Sequence, residues 1–170
     1  MDSFTNVAAT KGNLISSKRS LALARTGYDL MDRKRNILVR EMMGRIDKAN
    51  ALRDRNDETY RVAYKTLQAA NITQGVVESL AQATPIEDGL SMTFRSVMGV
   101  ELPTVRLSET PLQPWYDFGG SNAAYDVAFA RFDAVKKMLV ELAEIENSVY
   151  RLAVAIKKTQ SRANALQNII

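Results

Sequence analysis

From Val135 to Ile170, apolar or small residues recur at alternating steps of three and four: Val135, Met138, Leu142, Ile145, Val149, Leu152, Ile156, Thr159, Ala163, Leu166 and Ile170. Those steps keep side chains on one face of an α-helix, because a turn takes 3.6 residues. The pattern holds for about five heptads with no slip, and neither Gly nor Pro interrupts it. A stripe this long argues for a coiled-coil seam rather than the core face of a globular helix. At about 1.5 Å per residue it spans roughly 50 Å. Such a helix needs a partner of comparable length.

The first half of the chain offers one. Thr10 is an expected N-cap. After it come Leu14, Ser17, Leu21, Ala24, Tyr28, Met31, Arg35, Leu38, Met42, Arg45, Ala49 and Leu52, a second heptad stripe with Arg35 and Arg45 as interruptions. The helical pattern continues through Tyr60, Ala63, Thr66 and Leu67, and a further helical stretch is expected around Thr73 to Ala83. All four prolines, Pro85, Pro103, Pro111 and Pro114, lie between the two stripes. There residues 91–98 alternate, with Met92, Phe94 and Met98 on one side and Thr93, Arg95 and Val97 on the other. Gly99 follows, and Leu102 to Leu107 can return as a second strand, which Pro103 confines to an edge. Residues 108–122 read as a loop anchored by Trp115, Tyr116 and Phe118, with Ser121 or Asn122 capping the last helix.

The expected fold is therefore dominated by α-helix: a long antiparallel two-helix coiled coil with a short insert that contains a two-stranded β-hairpin. It forms one elongated domain, with an N-terminal arm over 10–84, the insert over 85–122, the hairpin at about 91–107, and a C-terminal helix over 123–170. If the fold-back sets residue 70 beside residue 124, paired numbers add to about 194. Ile170 then faces residue 24, and Leu14 and Leu21 lack a partner. The expectation is that the natural chain continues past Ile170.

Composition narrows the chemistry. The 170 residues include no Cys and no His, which excludes thiolate and imidazole metal sites, thiol redox chemistry and His-dependent triads. No Gly-rich loop has phosphate-binding spacing, and acidic neighbours such as Glu87-Asp88 have no catalytic frame. No catalytic residue, cofactor or metal ligand is expected. The start, Met1-Asp2-Ser3-Phe4, is not a secretory signal, and no run is long enough to span a membrane. Charge is uneven: +5 over residues 1–45, −4 over 46–128 and +3 over 129–170. If the ends lie side by side, one tip is positive, suited to an acidic protein surface, anionic lipid or nucleic acid.

Several stretches resemble the D subunit of the V-type (archaeal and vacuolar type) rotary ATPases. They are Thr10-Lys11-Gly12-Asn13-Leu14, Ala22 to Leu30 (ALARTGYDL), Arg33-Lys34-Arg35 with Leu38, Phe94 to Val100 (FRSVMGV) and Lys157 to Leu166 (KKTQSRANAL). Ala9 stands where many members have Pro, and Ala163 where Val is usual. The resemblance implies a non-catalytic central rotor shaft whose coiled coil enters a ring of catalytic A and B subunits. It implies a small F subunit on the side of the shaft and a funnel-shaped subunit linking its lower end to the membrane rotor. The expected location is cytoplasmic and peripheral to the membrane, with membrane contact only through partners and no nucleic acid. An F-type gamma shaft carries a larger insert than 85–122 provides. The alternative from another class is a basic-ended coiled-coil interaction or nucleic-acid-binding protein.

Three groups of residues are candidate contact sites. Val140, Ala143, Asn147, Tyr150 and Val154 form an extra stripe on the face away from the ladder, and Tyr60, Tyr64 and Leu67 do the same on the first helix. Of these Tyr60, Tyr64, Val140, Tyr150 and Val154 are the candidate site for the F subunit, the competing reading being packing by the insert or scattered exposed apolar residues. Lys11, Lys18, Arg19, Arg25, Lys157, Lys158 and Arg162 are candidates for contact with the catalytic ring, against a role in solubility alone. Phe94, Arg95, Met98 and Gly99 are candidates for a regulatory contact, against a hairpin that merely closes the end of the coil.

Overall fold

The computed structural model describes residues 8–76, 78–108, 111–116 and 118–170, with the side chains of residues 79–81 and 118 excepted. The opening Met1-Asp2-Ser3-Phe4 and the side chain of Phe118 lie outside the described residues. Helix α1 runs Lys11–Gln74, α2 Glu78–Ala83 and α3 Ala123–Gln167. Strands β1 (Leu90–Val97) and β2 (Val100–Leu107) form the hairpin, and Phe118–Gly120 is a single 3-10 turn.

The helix ends are set by local chemistry. Thr10 caps α1 by accepting the Asn13 N–H, and Asn122, of the two expected candidates, caps α3 by accepting the N–H of Tyr125. Gly75, at φ 80°, ends α1 in a conformation that a side chain would strain, and its N–H closes onto the Asn71 carbonyl at 2.8 Å.

Helices α1 and α3 pack antiparallel along their expected stripes. Ala24, Leu38, Ala49, Ala63 and Ala70 of α1 are buried, as are Ala128, Val135, Ile145, Leu152, Thr159 and Ala163 of α3. The register agrees with the expected pairing. Gly27 meets Leu166, Arg35 donates to Gln160, Arg53 bridges Glu146, Asn71 accepts from Tyr125 and Gln74 donates to the Gly120 carbonyl. These partners' numbers add to between 193 and 199. Leu14, Ile15 and Leu23 are exposed on α1, N-terminal to the Gly27–Leu166 contact.

The hairpin differs in two ways from a cap at the end of the coil. Its turn is Met98-Gly99, so β2 begins at Val100 rather than Leu102. Both turn residues are left-handed, at φ 51° and 76°, which suits a tight two-residue hairpin turn. The hairpin also lies along the flank of the coil. Leu102 is fully buried with Leu38 and Leu152, and Val97, Val100, Met42, Ala155 and Ile156 pack around them. Pro103 pairs with Phe94 on β1, and the other side of β2 faces α3 rather than a third strand. The missing proline N–H therefore breaks no ladder bond.

Ser148 belongs to neither expected stripe, yet it is fully buried and its Oγ has no hydrogen-bond partner among the described residues. On α3 it lies four residues after Glu144 and three before Arg151, the two residues that hold β2. A small side chain there lets the strand approach the helix. Ser148→Ala should therefore be neutral or stabilising in chemical denaturation, because no bond is lost. Ser148→Leu should cost about 1–3 kcal/mol by overpacking, and Leu152→Ala about 2–5 kcal/mol by leaving a cavity. A large loss from Ser148→Ala would contradict this account.

Candidate functional site

The insert is fastened to α3 at two roots. At the first, Lys136 Nζ meets Glu87 at 2.6 Å and Asp133 at 3.2 Å, while Lys137 meets Asp133 at 2.8 Å. Glu87 also accepts the Gly89 N–H, which orients the chain into β1. The hydrogen bond from Lys136, then that from Gly89, holds the Glu87 carboxyl below its ordinary value of 4.5. The same Glu87 contact raises Lys136 above 10.5. At Asp133 burial pulls upward, but hydrogen bonds from Lys137 and Lys136 outweigh it and leave the carboxyl below its ordinary value. At the second root the Tyr116 hydroxyl donates to Asp126 at 2.6 Å, and its ring packs edge-on to Phe129. Burial, then the neighbouring Asp126, pushes the Tyr116 phenol up to about 12. Between the roots lies a cavity of about 1020 Å³, lined by Leu67, Pro85, Trp115, Tyr116, Phe129 and Phe132 among others.

Further along α3 the hairpin is held by polar contacts on both helices. Glu144 accepts the Val105 N–H at 2.7 Å, and Arg151 donates to the Glu101 carbonyl at 3.1 Å. The same guanidinium lies 5.2 Å from the centre of the Phe94 ring, a cation–π geometry. Arg95 bridges Glu41 of α1 at 2.9 Å, and Arg45 approaches the same Glu41 oxygen at 3.2 Å. So of the candidate hairpin residues, Phe94 and Arg95 grip the coil, while Met98 and Gly99 form the exposed tip.

The candidate docking residues do not form one surface. Tyr60 stacks on Tyr64, and Tyr64 meets Phe132 edge-on at 5.6 Å. Tyr60 follows Arg53 by one heptad, and Glu146 follows Phe132 by two, so this aromatic group and the Arg53–Glu146 bridge share one flank of the seam. The hairpin occupies the other flank, through Glu41 and Arg151. Tyr150, which is 70 % exposed, and Val154 sit beside the hairpin tip, in a second cavity that also takes in Gly99 and Val100. Val140 is half-buried. The insert therefore borders the Tyr150 stripe without covering it.

The seven candidate basic residues are all exposed and fall into two sets. Lys11, Lys18, Arg19 and Arg25 precede the Gly27–Leu166 contact on α1. Lys157, Lys158 and Arg162 stand on α3, and the last two border the hairpin tip with Lys34.

Comparison with known proteins decides what kind of coil this is. The model of the family described as the D subunit of ATP synthase matches residues 13–170. The chain belongs to the ATP synthase D-subunit family. It is 41 % identical over 167 residues to the V-type ATP synthase D subunit of Thermotoga neapolitana, covering 97 % of this chain and 82 % of that one. It is 33 % identical to the A-type ATP synthase D subunit of Thermococcus kodakarensis, over 100 % of this chain and 82 % of the relative. For the A-type D subunit of Methanosphaera stadtmanae the figures are 31 %, 95 % and 78 %.

Glu87, Lys136, Glu144, Arg151 and Leu102 do not stand out in the sequence as functional positions. Glu87 reads there as a loop acid, and nothing in its neighbourhood along the chain points to Lys136, 49 residues away. Alternation gives no signal for Leu102, because over 102–107 it groups Pro103, Val105 and Leu107 as the apolar face and leaves Leu102 with Thr104 and Arg106.

The first root is limited in acid and in alkali, the second in alkali. A carboxyl lowered in the folded state stabilises fully above its ordinary value, and that contribution disappears as pH falls through the folded value. The Glu87 root should thus loosen in acid, below 4.5. The Lys136 contribution is full below 10.5 and is lost as pH rises beyond it. Tyr116 favours the folded state below 10 and loses that advantage as pH rises through about 12. Trp115, the single tryptophan, lines the cavity at these roots and reports on them directly. Its fluorescence should shift at both extremes, and Glu87→Gln should remove mainly the acid limb. An acid limb unchanged in Glu87→Gln would show that another group opens the root.

Proposed function

We propose that this chain is the central rotor shaft of a V/A-type ATP synthase, transmitting torque between a ring of catalytic A and B subunits and the membrane ion-translocating rotor. The supporting observation is the register lock. Helices of 64 and 45 residues are tied across their seam from Gly27–Leu166 to Gln74–Gly120. A rod roughly 95 Å long, at about 1.5 Å per residue, transmits torque only if its two strands resist sliding past each other. Side-chain packing, three ties between the helices (Arg35–Gln160, Arg53–Glu146 and Asn71–Tyr125) and two from α1 to the turn that leads into α3 (Thr73–Asn122 and Gln74–Gly120) oppose that sliding.

In this reading the shaft makes and breaks no bonds, and its roles are contacts. The basic tip, with Lys11, Lys18, Arg19, Arg25, Lys157, Lys158 and Arg162, faces the catalytic ring. The opposite end, around the insert, meets the funnel-shaped subunit on the membrane rotor. The F subunit docks along Val140, Tyr150 and Val154, with Tyr60 and Tyr64 on the adjoining flank. The hairpin, through Phe94, Arg95, Met98 and Gly99, is a regulatory contact. The chain works in the cytoplasm and reaches the membrane only through partners. No helix among the described residues is long and apolar enough to cross a membrane.

Co-expression with the cognate F subunit, followed by size-exclusion chromatography with light scattering, should yield a stable one-to-one complex. Val140→Asp with Tyr150→Asp should abolish it while leaving the helical circular dichroism unchanged. An intact complex in that variant would move the docking site elsewhere. No complex with the native chain, together with tight salt-sensitive nucleic-acid binding, would replace the shaft reading with that of a basic-ended coil.

A further inference from the structure

The groove between α1 and α3 that holds the hairpin does not end where the hairpin ends. Beyond the Met98-Gly99 turn it continues as a cavity of about 540 Å³. Its walls carry four cations, Lys34, Arg151, Lys158 and Arg162, and a single carboxylate, Glu101. Arg151 is engaged by the Glu101 carbonyl and the Phe94 ring. Among the described residues Lys34, Lys158 and Arg162 have no acidic partner, and the nearby acids of α1, Asp32 and Glu41, are already paired with Arg35, Arg45 and Arg95. Tyr150, Val154 and Val100 supply apolar surface.

We infer that this groove is a socket for an acidic, extended segment of a partner subunit, whose carboxylates meet Lys34, Lys158 and Arg162. The inference rests on the shaft reading for the existence of partner subunits. Charge complementarity decides the chemistry of the occupant, because an excess of unpaired cations in a concave site raises the local concentration of anions. What the groove already holds decides the form of the occupant. The lower part of the same groove already accepts an extended segment of this chain. There β2 is held by Arg151 through a backbone carbonyl and by an apolar anchor, Leu102. The incoming segment continues that track past the hairpin tip.

The test uses the whole isolated chain and an oligoglutamate peptide as probe, followed by backbone amide NMR. Signals of Gly99, Val100 and Thr159 should move on titration. Lys158→Glu with Arg162→Glu should weaken binding at least tenfold, and Lys158→Gln with Arg162→Gln should do so to a smaller extent. Lys48→Glu with Lys65→Glu, an equal change in net charge at exposed positions elsewhere, should change affinity less than twofold. Equal losses in both charge-reversal variants would mean diffuse attraction and overturn the socket. Tripolyphosphate saturating the site where oligoglutamate fails would also overturn it, in favour of a small-polyanion site. Because no other subunit is in the experiment, failure here leaves the shaft reading to be judged by complex formation.

Discussion

Everything in this molecule depends on the register between α1 and α3. A two-helix coil has a narrow apolar seam, and sliding one helix by a residue would turn its small side chains away from their counterparts. The α1 side of the seam is mostly alanine: Ala24, Ala49, Ala63 and Ala70. The α3 side opposes these with a mixture of sizes, from Ala128 to Ile145 and Leu152. Small residues facing larger ones bring the helices close and make displacement costly in lost contact. Among the described residues, large, fully buried side chains meet across the seam only near Leu38 and Leu152, and there the hairpin adds a third, Leu102.

That one place explains the position of the hairpin. A two-stranded hairpin is marginal by itself in water. This one is stabilised by leaning on the coil, with Leu102 filling the space between the helices. Backbone groups on the outer edge of β2 are satisfied by helix side chains, Glu144 and Arg151, in place of a third strand. β1 is exposed along most of its length, Val97 at its end packs on the Leu38–Leu102–Leu152 cluster, and its polar link to α1 is the Arg95–Glu41 bridge. An ion pair of that exposure contributes about 0–1 kcal/mol. Most of the attachment therefore lies in β2, and the turn and β1 are the parts presented outward.

The helices are legible in the sequence because their signal is periodic and local. Five uninterrupted heptads after Val135 specify a helix, a seam and a partner of similar length. The fold-back follows once the prolines are seen to cluster in one insert. The packing direction of the hairpin is not legible. It depends on Leu102 meeting Leu38 and Leu152, residues far apart in the chain, and alternation over 102–107 sets Leu102 with Thr104 and Arg106 rather than with the apolar Val105 and Leu107. The extra stripe is exposed at Tyr150 and Val154, but Tyr60 and Tyr64 lie with Phe132 on another flank and do not extend it. Counting along each helix separately gives the angle around its own axis. It does not say how far the hairpin reaches between the two surfaces.

Buried polar groups complete the argument about register. Asn56 lies on the α1 seam and is buried, and its Oδ1 has no partner among the described residues. A leucine there would bury more apolar surface, about 25 cal/mol for each Å². It would also stabilise shifted registers about as well as the native one. An asparagine in a coiled-coil seam gives up stability, and it favours one register only where that register gives it a partner. Alignment is marked by Arg35, which reaches from within the stripe to Gln160, and by Arg53, which reaches Glu146 beside it, whereas Arg45, the other interruption, turns to Glu41 on its own helix. For a helix pair that must stay aligned, such marks matter more than the last increment of apolar burial. A seam of uniform leucine would be more stable and less certain of where it stands.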